Sequence, residues 1–292
     1  MTFNKLIEVN QHFKELLLFI CLLDSQNIPR QYLDQCKDPL IVSDFLHSLK
    51  KFSLITSNKD GIFSTHRSTQ KFGLKHIWKI LTEKEKAAFI SKIVKIMTPY
   101  SEIRWIMYKT DVQKYNSIFF TSFLLHHLEA IIKNFEKISL SQKEKDKYVA
   151  KITLAIGHIH LTSGISGSTP YYLKALKLTE GNKYIDDYDL AVLYKEIGKN
   201  LIHRKDSEGV FYINKSLELA NMIQDSEPLI AMNFAMLGEV FLQDGNFDEA
   251  IRKFQSAIRV VEKENAAWAK NIKFQIYCFL AFAYCDHYLN KR

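Results

Sequence analysis

Apolar and polar positions fall into two rhythms along this chain. The first is short-range. Residues 10–25 carry a dense apolar run, Leu16 to Leu23, between Glu15 and Asp24, and read as a buried helix from Asn10 to Ser25. Ile28-Pro29-Arg30-Gln31-Tyr32-Leu33 opens a second helix, with Pro29 at an initiating position. Asp38-Pro39-Leu40 opens a third, carried on by Val42, Phe45, Leu46 and Leu49. Leu54-Ile55-Thr56 and Ile62-Phe63-Ser64 then alternate as strands around Asn58-Lys59-Asp60-Gly61, a hairpin signal. The second rhythm is long-range and fills the second half of the chain.

There a small residue returns inside the same short word: Ile156-Gly157, Ile197-Gly198, Leu237-Gly238 and Leu280-Ala281, with steps of 41, 40 and 43 residues. A bulky or ring-bearing residue follows three positions later each time: His160, Leu201, Phe241 and Tyr284. A fixed long period of this kind predicts stacked helical hairpins. The third copy is fullest: Phe234, Leu237, Gly238, Phe241, Gly245, Phe247, Ala250, Phe254 and Ala257. Gly238, Ala250 and Ala257 would let paired helices approach, the phenylalanines would fill the wedge, and Asp244-Gly245-Asn246 would turn the chain. This copy resembles the tetratricopeptide repeat (TPR), although Glu262 stands in place of the closing proline and steps near 40 exceed the family's roughly 34. The second helices of the earlier copies read Tyr212 to Leu219, with Gly209 at the small position, and Tyr172 to Leu178 after a turn from Ser163 to Pro170. The fourth copy, Asn271 to Leu289, offers only a first helix.

Three helices and a hairpin make a winged helix, and its words carry a second resemblance. Leu46-x-x-Leu49-x-x-x-Ser53-Leu54-Ile55, then Phe63-Ser64-Thr65-His66-Arg67-x-x-Gln70, resembles the winged-helix segment of STAND-type regulators of the NB-ARC kind. Ile103 to Phe135, with Phe123-Leu124-Leu125-His126-His127-Leu128, is similar to that family's bridging helices, with His126 in place of their usual proline. The resemblance implies a mainly α chain in three parts: a winged-helix-like domain over 1–80, a helical bridge over 81–145 and a TPR-like α-solenoid over 146–292. It implies that His66 and Arg67 anchor the wing to the bridge. The family's nucleotide-binding domain would precede the wing, but no G-x-x-x-x-G-K-[ST] word occurs, so no nucleotide is expected. Gly164-Ile165-Ser166-Gly167-Ser168-Thr169 lacks the lysine of such a loop and falls on a repeat turn.

Composition adds limits. Of 292 residues, 47% are hydrophobic and 25% charged, enough for a packed core, and 10 Gly with 5 Pro leave little loop material. The eight-residue run Leu16 to Leu23 is too short to span a bilayer, which needs about 20. Cys21, Cys36, Cys278 and Cys285 show no paired spacing and read as buried thiols in a reducing compartment, so a cytoplasmic location is expected. His76, His126, His127, His158 and His160 make no metal-ligand spacing, and Cys285 and His287 face different ways on a helix. No catalytic word is present, so neither an enzyme nor a cofactor is expected.

Two surfaces are candidates for binding. In the repeats, the first helices would line a groove with Lys151, Leu154, His158 and Leu161; then Lys195, Lys199, Ile202 and His203; then Met232, Ala235, Glu239 and Gln243. Apolar patches with lysines suit an extended peptide or helix bearing acidic residues. In the third helix of the wing, Ser43, Asp44, His47, Ser48, Lys50 and Lys51 would face a DNA groove. Residues 1–100 hold 15 Lys+Arg against 9 Asp+Glu, but the helix has no Arg, Asn or Gln to read bases. The expected function is a non-catalytic protein-interaction or regulatory module. The alternatives are a DNA-binding regulator whose repeats sense a partner, and a bacterial effector acting on a host protein.

Overall fold

The computed structural model describes residues 2–57, 61–98, 111–162, 167–264 and 267–290, and divides into two compact units. Unit 1 holds residues up to Ser166 and begins with α1 (Thr2–Val9) and α2 (Phe13–Leu22). All of α2 except Lys14 is buried, as its nearly unbroken apolar sequence requires. β1 (Ile28–Pro29), β2 (Ile55–Ser57) and β3 (Ile62–Thr65) form an antiparallel sheet in the order β1-β3-β2. Pro29 thus lies in an edge strand, where its missing N–H costs no ladder bond, and helix α3 (Arg30–Asp34) starts one residue after it. The expected helix start at Pro29 is corrected accordingly. The turn residues Asn58, Lys59 and Asp60 lie outside the described residues.

Helix α4 (Pro39–Lys51) starts where Asp38 accepts a hydrogen bond from the Leu40 N–H, with Pro39 in the first turn. Helices α5 (Arg67–Ile80) and α6 (Glu83–Met97) follow; Thr82 and Glu85 close a reciprocal capping box at the start of α6. Unit 1 ends with α7 (Asp111–Phe135) and α8 (Gln142–Thr162). The first residues of the segment likened to bridging helices, Ile103 to Thr110, lie outside the described residues, as do Ser163 to Ser166 of the expected repeat turn.

Buried polar groups join distant parts of unit 1. Glu15 on α2 accepts from Lys37 at 2.6 Å, Lys92 at 2.8 Å and the Cys36 thiol at 3.2 Å. Burial acts to raise the Glu15 pKa, but these donors outweigh it and hold the carboxyl below its ordinary value. Burial first, and then the Glu15 charge, push the Cys36 thiol up to about 12.

Unit 2 contains α9 (Ser168–Thr179), α10 (Asp187–His203), α11 (Glu208–Ala220), α12 (Glu227–Gln243), α13 (Phe247–Glu262) and α14 (Ala267–Asn290). It is helical throughout its described residues, as an α-solenoid requires. The expected small-residue contacts are present. A Cβ on Gly198 would lie 2.9 Å from the Gly209 carbonyl oxygen, and one on Gly209 would lie 2.8 Å from the Gly198 oxygen. A Cβ on Gly238 would meet the Phe254 ring at 2.6 Å. Phe254 is fully buried and stacks on Phe279 at 5.7 Å. Ala250 and Ala257 are fully buried beside it.

The turns repeat as well. Asn246 N–H donates to Phe241 O and Gly245 N–H to Leu242 O; forty residues earlier, Asp206 donates to Leu201 O and Lys205 to Ile202 O. Both are Schellman closures with a left-handed residue, Gly245 (φ +74°) or Lys205 (φ +60°). Two expectations need correction in α14. Ala281 is exposed and Ala283 is the buried small residue, and Cys278 and Cys285 are exposed. The cause is that α14, the last described helix of unit 2, packs mainly against α12 and α13. No described helix is long and apolar enough to cross a membrane.

Candidate functional site

Helices α10 and α12 carry the groove residues expected in unit 2. These two are the first helices of successive hairpins and pack against each other. The Lys199 charge on α10 acts on the Glu239 carboxyl on α12. Burial raises the Glu239 pKa and the Lys199 charge opposes this, leaving the carboxyl above its ordinary value. Met232 and Ala235 are partly buried on the same helix as Glu239, Ile202 is buried, and His203 and Gln243 are exposed. A half-buried acid and base among apolar neighbours can orient a charged group of a bound chain.

Lys195 departs from the expectation of an open groove position. It is only 3% exposed and pairs with Glu196 at 2.6 Å. A buried ammonium requires a carboxylate beside it, and Glu196, the next residue, supplies one inside the helix stack. In α8, within unit 1, Lys151 and Leu161 are partly buried, whereas Leu154 and His158 are buried and so are not free surface.

In the wing, the α4 residues separate. Ser43 donates to the Pro39 carbonyl at 2.8 Å and accepts from Arg30 at 2.8 Å, so it is engaged within the fold. Arg30 also bonds Asp34 and Pro39 O. His47, Lys50 and Lys51 are exposed.

The word His66-Arg67-x-x-Gln70 gains a physical account. His66 caps α5 by accepting from the Ser68 N–H at 3.3 Å. Gln70 donates to Ile20 O at 2.7 Å and Leu23 O at 3.1 Å, and Asn134 donates to Leu22 O at 2.9 Å. Together they satisfy carbonyls at the end of α2 that have no helical partner. His127 accepts from the Asp24 N–H at 3.1 Å through Nδ1, which leaves Nε2 to donate to Asn27 O at 3.1 Å. Burial pushes its pKa down to about 4, so the ring is neutral at neutral pH. Sequence reasoning missed Asn134 and the tie made by His127, since a lone polar residue carries no signal of a partner a hundred positions away. No group of His, Cys, Asp and Glu among the described residues could hold a metal ion.

No protein-family model matches the chain, and no curated protein does. Among solved structures, the chain is similar to a Signal Transduction ATPase with Numerous Domains (STAND) protein with a tetratricopeptide repeat sensor from Pyrococcus horikoshii. The identity is 16% and the TM-score 0.32; the match covers 97% of this chain and 48% of that one. The chain therefore spans about half the length of that protein, and a likeness this low carries no argument about fold or function.

Proposed function

We propose that this chain is a non-catalytic regulatory module that binds a peptide or protein partner on the α10/α12 face. The observation that supports this is the Lys199 charge acting on the half-buried Glu239 carboxyl from the neighbouring first helix, with Met232, Ala235 and Ile202 on the same two helices. A partner segment carrying a carboxylate would meet Lys199, and apolar side chains would supply most of the affinity. The exposed aromatic face of α14, with Phe274, Phe282 and Tyr288, gives a second apolar surface in the same unit.

We read α2, α3, α4 and the β2–β3 hairpin as a winged helix with β1 as its third strand. Its order of elements supports that reading. DNA binding is not favoured, because Ser43 and Arg30 are engaged with each other inside the fold.

The test is a charge swap. The partner is identified by affinity capture and mass spectrometry, and its Kd is then measured by calorimetry. Lys199→Glu and Glu239→Lys are each expected to weaken binding at least tenfold, and the double swap to recover part of the loss. Unchanged affinity in both single variants would move the site off this face.

A further inference from the structure

Unit 1 contains a cavity of about 770 Å³ between the end of α2, one face of α5 and the last turns of α7. Its walls carry six cations: Arg67, Lys71, Lys75 and Lys79 on α5, with Lys133 in the last turn of α7 and Lys137 in the turn that follows it. Asp24 is the one carboxylate among the lining residues. None of the six cations forms an ion pair with a carboxylate among the described residues.

The spacing of these charges is informative. The four on α5 follow one another every fourth residue, so they share a face and extend over about 18 Å of helix. Helix α5 has no acidic residue to interrupt them. Like charges one turn apart destabilise a helix, and Lys133 and Lys137 add two more cations from the end of α7 and the turn after it. One helix face of like charges and the end of a second helix therefore converge on one concavity, which concentrates positive potential there.

Two further features concern what would fit. The floor is apolar, formed by Leu74, Trp78, Ala130 and Ile138, and the lysine stems add methylenes. Trp78 is nine-tenths buried, and its indole N–H has no hydrogen-bond partner among the described residues. The carbonyls at the end of α2 would repel an anion if left bare, but Gln70 and Asn134 donate to them. The volume lies in the range of small-molecule sites, about 300–1,000 Å³.

The geometry points to a binding site for an organic phosphate: a compound with an apolar body, seated on Leu74, Trp78 and Ile138, and one or more phosphate groups held by the lysine walls. This assignment is independent of the α10/α12 reading, because every lining residue belongs to unit 1. A bare inorganic anion would leave the apolar floor unused, and a neutral apolar compound would leave six cations unneutralised.

The experiment is calorimetric titration of the full chain with three probes: 1-naphthyl phosphate, 1-naphthol and inorganic phosphate. Saturable one-to-one binding of naphthyl phosphate is expected, at least tenfold tighter than either other probe and weakening as salt rises. The double variant Lys71→Gln, Lys133→Gln removes one charge from each helix and is expected to weaken binding at least tenfold with a Tm no lower than wild type. A single-stranded RNA oligonucleotide is the competing ligand. Tighter binding of RNA than of naphthyl phosphate, with the same sensitivity to the variant, would overturn the assignment in favour of a nucleic-acid tract. Absence of saturable naphthyl phosphate binding, equal affinity for inorganic phosphate or for naphthol, or wild-type affinity in the variant would also overturn it.

Discussion

In unit 1 the buried polar ties join residues far apart in the chain. His127 holds the loop at Asp24 and Asn27, 103 and 100 positions away, and Asn134 holds Leu22 across 112. In unit 2 the corresponding ties are short. Asn233 donates to Ser216 across 17 positions, Lys195 pairs with its neighbour Glu196, and Gly198 touches Gly209 in the next helix. The first unit is thus fixed by a few specific long-range hydrogen bonds, and the second by the size of the side chains between adjacent helices. Contacts local in sequence form quickly and repeat easily, whereas distant ties must wait for the chain to close a long loop.

This contrast can be broken most forcefully in unit 2. Phe254→Ala empties the space between Gly238 and Phe279 and is expected to cost about 3–5 kcal/mol in urea unfolding. The reverse change in the preceding hairpin, Gly198→Ala, forces a methyl against the Gly209 carbonyl and is expected to cost about 1–3 kcal/mol. A neutral Gly198→Ala would mean that side-chain size does not set the helix spacing.

Unit 1 should respond to acid instead. His127 is neutral in the fold down to about pH 4, while in the unfolded chain it takes up a proton near 6.5. Falling pH therefore favours unfolding across that window, by on the order of 3 kcal/mol. In His127→Gln this slope of stability against pH should disappear. Glu15 acts lower on the scale: its depressed folded pKa contributes stability that is present above the unfolded value near 4.5 and is lost as pH falls through the folded one. At neutral pH, Glu15→Gln leaves Lys37 and Lys92 without a carboxylate and is expected to cost about 1–3 kcal/mol, moderated because both lysines reach water. The smallest effect is a gain. Lys205 occupies the left-handed position that Gly245 fills forty residues later, so Lys205→Gly should stabilise the chain by about 0.5–1 kcal/mol.

What the sequence revealed follows the same division. The words around Gly198 and Gly238 announced close helix packing because a repeat states its rule more than once, and the structure places both glycines against the next helix. The rule failed at Ala281, which is exposed, whereas Ala283 two positions on is buried. It also put Lys195 on a surface, because periodicity assigns a face and cannot foresee that Glu196 will draw the ammonium inward. In the first unit, the hairpin strands and α4 were readable from local chemistry. β1 was not, since two residues carry no alternation, and neither were the partners of His127 and Asn134. The six cavity cations carried no binding signal in the sequence, because only the fold brings the α5 face to the end of α7.

Hydrogen exchange of the Gly198→Ala protein against wild type, read by mass spectrometry at neutral pH, tests the central claim most directly. Small residues setting the helix spacing predict protection lost across α10 and α11, from Asp187 to Ala220, with α2 and α5 unchanged. Protection retained in α10 and α11, or lost equally in α2 and α5, would contradict it.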